Sequence, residues 1–124
     1  MFAGLPRGIF WLYVSYMTIH ATGTIAVIFV AQRTGVANES YAQAASAMAT
    51  LATQQPGYVG IDSVRDASGL GITVSYWASD AAAKAWRDNA EHTKIREAGR
   101  DLWYSAYSLH VADITRSYDW TKKL

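Results

Sequence analysis

The clearest hydrophobic pattern in the chain is the run TIAVIFVAQR, where apolar side chains fill both faces of a strand from Thr24 to Arg33. A Thr-Gly pair follows and breaks the run. Because a strand that is apolar on both sides must be covered on both sides, this pattern predicts helices on one face of a sheet and a second layer on the other.

A first helix is predicted from Asn38 to Thr53, since apolar residues recur there at helical spacing. Asn38 is a residue type that caps helix N-termini, and Pro56-Gly57 stops the helix. The apolar stripe consists of Tyr41, Ala45, Met48, Leu51 and Ala52.

The middle of the chain predicts a hairpin. Two runs rich in β-branched and aromatic residues, Tyr58–Arg65 and Gly71–Trp77, flank the loop Asp66–Gly69. Gly69 supplies the positive φ that such a loop needs.

Helical composition dominates after the hairpin. Ser79-Asp80 is predicted to cap a short helix that runs through Trp86, and a further helical stretch is predicted from Asn89 to about Tyr104. Ala106–Tyr118 is predicted as the last strand.

This order of elements, β-α-β-β-α-(α)-β, predicts an α+β ferredoxin-like split βαβ sandwich. Such a domain has a four-stranded antiparallel sheet with helices on one face. The other face would expose a contiguous apolar patch to water, and a second copy of the chain is the simplest cover. We therefore expect a homodimer.

The first part of the chain predicts no defined element. Positions 8 to 32 carry no Asp, Glu, Lys or Arg, which is long enough for a membrane span, but Thr18, His20 and Thr24 interrupt the run. A signal peptide is disfavoured because a clear small-residue cleavage site is missing. We expect an N-terminal extension over residues 1–23, the domain over 24–120 and a polar tail over 121–124; Met17 leaves open that residues 1–16 precede the functional start.

Composition excludes several classes of site. The chain has no cysteine, which removes disulfides and thiolate chemistry and fits a cytoplasmic protein. Eleven basic and ten acidic residues give a net charge of +1, so neither a nucleic acid nor a membrane surface is an expected partner. Five Trp and eight Tyr in so small a domain indicate that some rings line a pocket or a subunit contact.

Two longer segments carry distinctive motifs: QQPGYVGIDSVRDASGLGITVSYW (Gln54–Trp77) and AWRDNAEHTKIREAGRDLWYSAY (Ala85–Tyr107). Together they resemble the antibiotic-biosynthesis-monooxygenase family, whose members are dimeric α+β barrels. The resemblance implies a cofactor-independent monooxygenase that converts a hydrophobic aromatic or phenolic small molecule to a quinone. A non-enzymatic small-molecule-binding or regulatory dimer remains an alternative.

Candidate site residues lie mainly on the second helical stretch. His92 is the best general base, since histidine alone titrates near neutrality when unperturbed. Arg96 and Arg100 follow it at helical spacing and could bind an enolate, and Trp86 lies in the matched motif. We predict His92, Arg96 and Trp86 as catalytic residues. The predicted substrate-binding residues are Gln32, Arg33, Tyr76, Trp77, Arg100, Trp103 and Tyr104.

Two pairs of neighbours leave a choice open. Ser75 and Tyr76 lie on opposite faces of their strand, so only one can reach a cavity between two sheets. Trp103 and Tyr104 are adjacent, and at most one of them is expected to face the core.

A haem-degrading branch is the remaining alternative that the resemblance implies. That branch uses an Asn at the end of the first strand, a Trp early in the second helix and a His that ligates iron. In this chain Gln32 stands at the Asn position, Trp86 matches the Trp, and Arg96 stands where the His belongs. We therefore expect no metal site and no cofactor.

Overall fold

This computed structural model describes residues 19–123 of the chain, which form four strands and three helices. A π-helical turn joins the last helix to the last strand. The elements are β1 (Ile25–Arg33), α1 (Asn38–Thr53), β2 (Tyr58–Arg65), β3 (Leu70–Trp77), α2 (Asp80–Arg87), α3 (Ala90–Ala98), the π turn (Gly99–Trp103) and β4 (Tyr104–Asp113).

The four strands form one antiparallel sheet in the order β2-β3-β1-β4. The crossovers from β1 to β2 and from β3 to β4 carry the helices, which is the split βαβ connection. The predicted α+β ferredoxin-like fold is confirmed.

Strand register divides the sheet into a face that carries the helices and an uncovered face. Ile25 lies opposite Trp77, and both belong to a buried cluster with Ala83 of α2, against which Val27 also packs. Because directly opposed residues share a face and consecutive residues of a strand lie on opposite faces, Ile28 and its cross-strand partners Val74 and His110 belong to the uncovered face.

Gly57 allows α2 to approach the sheet closely. Its φ is 82°, and a Cβ added there would lie 2.5 Å from the Cβ of Ala82. The Pro56-Gly57 stop that ends α1 therefore also makes room for α2.

The prediction that Asn38 caps α1 is wrong. The N-cap is Ala37 at φ 54°, with no side-chain capping bond, and Asn38 is already helical. Its Oδ1 accepts a hydrogen bond from Nη2 of Arg33 at 2.5 Å. A bond from a charged donor is stronger than one from a neutral backbone N–H, which explains why the amide oxygen is used there.

The last two elements differ in their bounds from the prediction. Regular helix ends at Ala98, and β4 begins at Tyr104 and ends at Asp113, five residues before Tyr118. Asp113 lies opposite Ile25, the first residue of β1, and two further backbone hydrogen bonds join Ile114 to Thr24 and Gly23 beyond the strand ends.

Residues 1–18 lie outside the described part of the chain, and with them most of the expected N-terminal extension. Residues 19–23 run beside the end of the chain: the N–H of His20 donates to Oγ of Ser117 at 3.2 Å, and Oγ1 of Thr22 donates to the carbonyl of Thr115 at 3.3 Å. No helix within residues 19–123 is long and apolar enough to cross a membrane.

Candidate functional site

Three rings are stacked at one end of the helix-covered face. The Trp77 and Trp86 rings lie 5.8 Å apart at 24°, and the Trp86 and His92 rings lie 4.4 Å apart at 14°. Trp77 is fully buried, whereas Trp86 and His92 are half-buried. The stack leads from the core of the domain to its surface and ends on the imidazole.

The turn between α2 and α3 places His92 over Trp86. Asn89 caps α3, its Oδ1 accepting from the N–H groups of Glu91 at 3.0 Å and His92 at 3.2 Å. The predicted helix start at Asn89 is therefore confirmed. Because the cap turns the chain sharply, the His92 ring returns to the residue six positions before it.

The tautomer of His92 follows from its hydrogen bond. Nδ1 lies 2.9 Å from the carbonyl oxygen of Trp86, which can only accept, so Nδ1 carries the proton. Nε2 is then left with the lone pair of the neutral ring. Burial lowers the pKa of His92 below its ordinary 6.5, the bond to Trp86 opposes this, and the charge of Arg96 adds to it.

An apolar surface stays accessible on the same face. Leu109 and Val111 of β4 lie opposite Phe29 and Val27, yet Leu109 is 51% exposed and Val111 is 56% exposed. α3 buries none of its residues. The helix layer therefore leaves open an apolar surface beside the cluster that Trp86 joins.

A second aromatic cluster occupies the other end of the helix-covered face, around Tyr41 of α1. The Trp103 and Tyr104 rings lie 5.8 Å and 5.9 Å from the Tyr41 ring, both edge-on. The expectation that only one of these two neighbours faces the core is wrong. Trp103 ends the π turn and Tyr104 begins β4, so the change of backbone geometry between them directs both rings inward.

Two strand irregularities add tyrosines to the helix-covered face. In β4 the register moves from Gln32–Ala106 to Arg33–Tyr104, which leaves Ser105 as an extra residue. In β2 it moves from Gly60–Tyr76 to Tyr58–Trp77. Such bulges reverse the face on which later residues lie, and they are common beside functional sites.

The expected line of His92, Arg96 and Arg100 does not converge on one point. Nη1 of Arg96 donates to the carbonyl of Arg87 at 3.3 Å, and Nε of Arg100 donates to the Tyr107 hydroxyl at 2.6 Å. Arg100 lies in the π turn, whose wider winding breaks the helical spacing that joins it to Arg96.

Tyr76 and Gln32 lie on the uncovered face, away from both clusters. The Tyr76 hydroxyl donates to Oδ2 of Asp62 at 2.7 Å, and Nε2 of Gln32 donates to the carbonyl of Ser68 at 2.8 Å. Ser75 takes the helix-covered face, where its Oγ accepts from Nε1 of Trp77 at 3.0 Å. Of the pair Ser75 and Tyr76, Tyr76 lies on the face opposite the helices, where the His20 ring stacks on it at 3.9 Å.

The remaining predicted residues form two separate groups. Trp77, Trp86 and His92 lie at one end of the helix-covered face, and Arg33, Trp103 and Tyr104 lie at the other. Trp77 and Gly71, which mark these ends on β3, are six residues apart, or about 20 Å along a strand.

The residues present do not fit a haem-degrading site. Gln32 and Trp86 belong to opposite faces of the sheet, and the position expected for an iron ligand holds Arg96, which has no lone pair to offer a metal. Within residues 19–123 no three His, Cys, Asp or Glu side chains come together as metal ligands.

Sequence reasoning missed Arg65, Tyr41 and Tyr107 as members of the clusters. Nη2 of Arg65 donates to the Tyr41 hydroxyl at 3.0 Å, and the Tyr107 ring lies 5.1 Å from Phe29. One signal was available for Arg65: it lies opposite Gly71, a glycine within a strand that often marks a close approach.

Comparisons with known proteins agree with this geometry. The chain is 47% identical over 76 residues to the uncharacterized protein YqjZ of Bacillus subtilis (strain 168), which covers 61% of this chain and 67% of that protein. A putative antibiotic biosynthesis monooxygenase from Nitrosomonas europaea superimposes with a TM-score of 0.66 at 14% identity, covering 76% of this chain and 92% of that one. SnoaB, a cofactor-independent oxygenase from Streptomyces nogalater, gives 0.60 at 17% identity, covering 74% and 94%.

The family model for antibiotic biosynthesis monooxygenase matches residues 24–98. The match includes β1 to α3, and so three of the four strands and the helix that carries His92. Because it spans more than half of the sequence, this chain belongs to the antibiotic biosynthesis monooxygenase family.

Proposed function

We propose that this protein is a cofactor-independent monooxygenase that oxidises a hydrophobic aromatic or phenolic small molecule to a quinone. The observation that carries the proposal is the neutral, half-buried His92, stacked on Trp86 with Nδ1 held by a carbonyl and Nε2 available. Family membership and the likeness to SnoaB, described as a cofactor-independent oxygenase, support the same reaction class.

The chemistry begins with a proton transfer. Nε2 of His92 removes a proton from the activated carbon of an anthrone-like substrate and leaves an enolate. The enolate carbon transfers electrons to O₂ and forms a C–O bond. The peroxide anion takes the proton back from Nε2 of His92. It then loses water as the carbon gives up its second hydrogen, so one oxygen atom stays on the carbon as the quinone carbonyl and the other leaves as H₂O.

The protein's part is to bind, orient and stabilise the anion. The exposed apolar surface of Leu109 and Val111 provides hydrophobic contact for a planar substrate, and Trp86, stacked between Trp77 and His92, holds the imidazole ring in place. The positive charge of Arg96 acts on His92 and stabilises an enolate formed beside it.

Oxygen uptake tests the reaction directly. Purified protein, treated with a chelator and free of added flavin, is expected to consume O₂ with anthrone and to form one anthraquinone per O₂. An oxygen electrode and chromatography of the product measure both quantities. Uptake no faster than in buffer, or uptake that requires an added metal or flavin, would contradict the proposal, and binding of anthrone without turnover would favour a non-enzymatic ligand-binding protein.

We further propose that the protein is a homodimer in which two uncovered sheet faces pack together. Ile72 of β3 lies on that face between Val30 and Val64, and 43% of Ile72 and 56% of Val64 are exposed. An apolar sheet face of this kind favours burial against a self-complementary copy.

A charge on this face is expected to separate the subunits. The Ile72→Glu variant should have the monomer mass of 13.6 kDa by light scattering, and the wild type twice that mass, because an unpaired carboxylate in the interface is costly. Leu102→Glu is the matched control, since Leu102 has a similar exposure of 46% but lies in the π turn. A monomeric wild type at micromolar concentration, or a dimeric Ile72→Glu variant, would overturn this arrangement.

A further inference from the structure

Two arginines converge on one tyrosine at the end of the sheet farthest from His92. The Cζ of Arg33 lies 3.9 Å above the centre of the Tyr41 ring. Nη2 of Arg65 donates to the Tyr41 hydroxyl at 3.0 Å, and its Cζ lies 5.6 Å from the same ring. Two positively charged guanidinium groups therefore contact the same tyrosine.

No carboxylate balances these charges within the described residues. The ion pairs found there join Lys84 to Asp80, Arg87 to Asp88 and Lys94 to Glu91. Asp66, the acid that directly follows Arg65, has its Oδ1 occupied by the N–H groups of Ser68 and Leu70 and by the Ser68 hydroxyl. Like charges brought together without a counter-ion destabilise the fold.

The neighbouring phenol does not supply the missing negative charge. Burial, followed by the influence of Tyr41, raises the pKa of Tyr104 far above its ordinary value of 10, so its hydroxyl stays protonated. Burial also lowers the pKa of Arg33, with a smaller contribution from the charge of Arg65. The two guanidiniums thus keep a net positive charge in a partly dehydrated position.

The side chain of Arg65 is fixed in a position that leaves one of its nitrogens without a hydrogen bond. Its Nη1 donates to the carbonyl of Gly69, while its Nε is buried without a hydrogen-bond partner. A Cβ on Gly71 would lie 2.7 Å from the Cζ of Arg65, so the absence of a side chain there is what lets the guanidinium lie against β3. An unpaired buried donor lowers the free energy of unfolding.

We propose that Arg33 and Arg65 form a binding site for a small aromatic carboxylate, separate from the site at His92. Two guanidiniums match the two oxygens of a carboxylate. Tyr41 and Trp103 are buried, so the half-buried Phe29, which packs on Tyr104, is the ring left for an aromatic body to contact. Nη1 of Arg33 donates to the carbonyl of Trp103 at 2.6 Å, and its Nη2 donates to Val36 and Asn38, which are exposed near the start of α1, so this side of the guanidinium lies within reach of solvent. The separation of about 20 Å from the Trp77 end of the sheet means that one small substrate cannot contact both sites.

Benzoate and its neutral analogue benzamide test this site at low ionic strength by calorimetry and thermal unfolding. Benzoate is expected to bind the wild type and raise its Tm, and benzamide to bind at least about tenfold more weakly. Arg65→Met and Gly71→Ala should each weaken benzoate binding about tenfold or more, the first by removing the charge and the second by displacing it. Arg116→Met, which removes an exposed arginine elsewhere, is the control and should bind as the wild type does.

Three results for the wild type and the variants at this site would overturn the proposal. They are failure of the wild type to bind benzoate, equal affinity for benzamide, and undiminished binding by Arg65→Met or Gly71→Ala. If Arg65→Met does not fold, Gly71→Ala decides, since it retains both arginines. The His92→Ala variant should bind benzoate normally; loss of binding in that variant would place the ligand at His92 and contradict a separate site.

Discussion

Replacing His92 with alanine is expected to lower kcat/KM for anthrone oxidation by about 10²- to 10⁴-fold, the usual contribution of a positioned general base. The hydrogen bond from Nδ1 to the Trp86 carbonyl leaves Nε2 as the basic atom, and the stack on Trp86 fixes the plane of the ring. Initial rates of O₂ uptake measure the change.

Two further variants distinguish the basicity of His92 from the packing of its ring. His92→Phe keeps a flat ring against Trp86 but has no basic nitrogen, so it should be as slow as His92→Ala. His110→Ala removes an exposed histidine of β4 and should react as the wild type does. Wild-type rates in His92→Phe would show that the ring serves packing alone and would remove His92 from the reaction.

The pH dependence of kcat/KM is a second test of the role of His92. Because burial lowers the pKa of His92 below 6.5, kcat/KM should be constant near neutrality and fall only when the pH drops through this lowered pKa. The free energy of unfolding also depends on this lowered pKa of His92. The unfolded chain binds the proton first, so the free energy of unfolding should decrease as pH falls through 6.5 and level off below the folded-state pKa. His92→Phe should lack both dependences.

Much of the fold could be predicted from local patterns. The apolar run of β1 and the Gly-containing loop of the hairpin are properties of neighbouring residues, as is the helix start at Asn89, and the sequence predicts each within about one residue of its observed place. The element order then leaves few topologies, since crossover connections of this kind follow strict rules.

The parts that could not be predicted depend on partners distant in sequence. The extra residue at Ser105 is defined only by the register of β4 against β1, yet it decides that Tyr104 and Tyr107 share a face, with their rings 6.2 Å apart. The π turn likewise breaks the spacing between Arg96 and Arg100. A side-chain period of two or 3.6 residues fails at any one-residue insertion, which is why the sequence does not predict that the site residues separate into two clusters.

Shortening Trp77 to alanine is expected to have the largest effect on stability, because this ring joins the core to the candidate site. It is completely buried beside Ile25, stacks on Trp86 at 5.8 Å and meets the Tyr58 ring edge-on at 5.8 Å. Its Nε1 also donates to Oγ of Ser75. Removing a buried Trp ring costs about 3–5 kcal/mol, a large share of the roughly 5–15 kcal/mol that stabilise a typical domain.

Urea unfolding followed by circular dichroism measures this loss, with Trp120→Ala as the matched control. Trp120 is 77% exposed, so its removal should change the free energy of unfolding by no more than about 0.5 kcal/mol. Trp77→Phe should fall between the two, because a smaller ring refills part of the cavity but cannot donate to Ser75. Equal stability of the Trp77→Ala and Trp120→Ala variants would contradict the central position of Trp77. The assignment of Trp86 and His92 to a rigid stack would then fail with it, since Trp77 is the only member of that stack that is fully buried among the described residues.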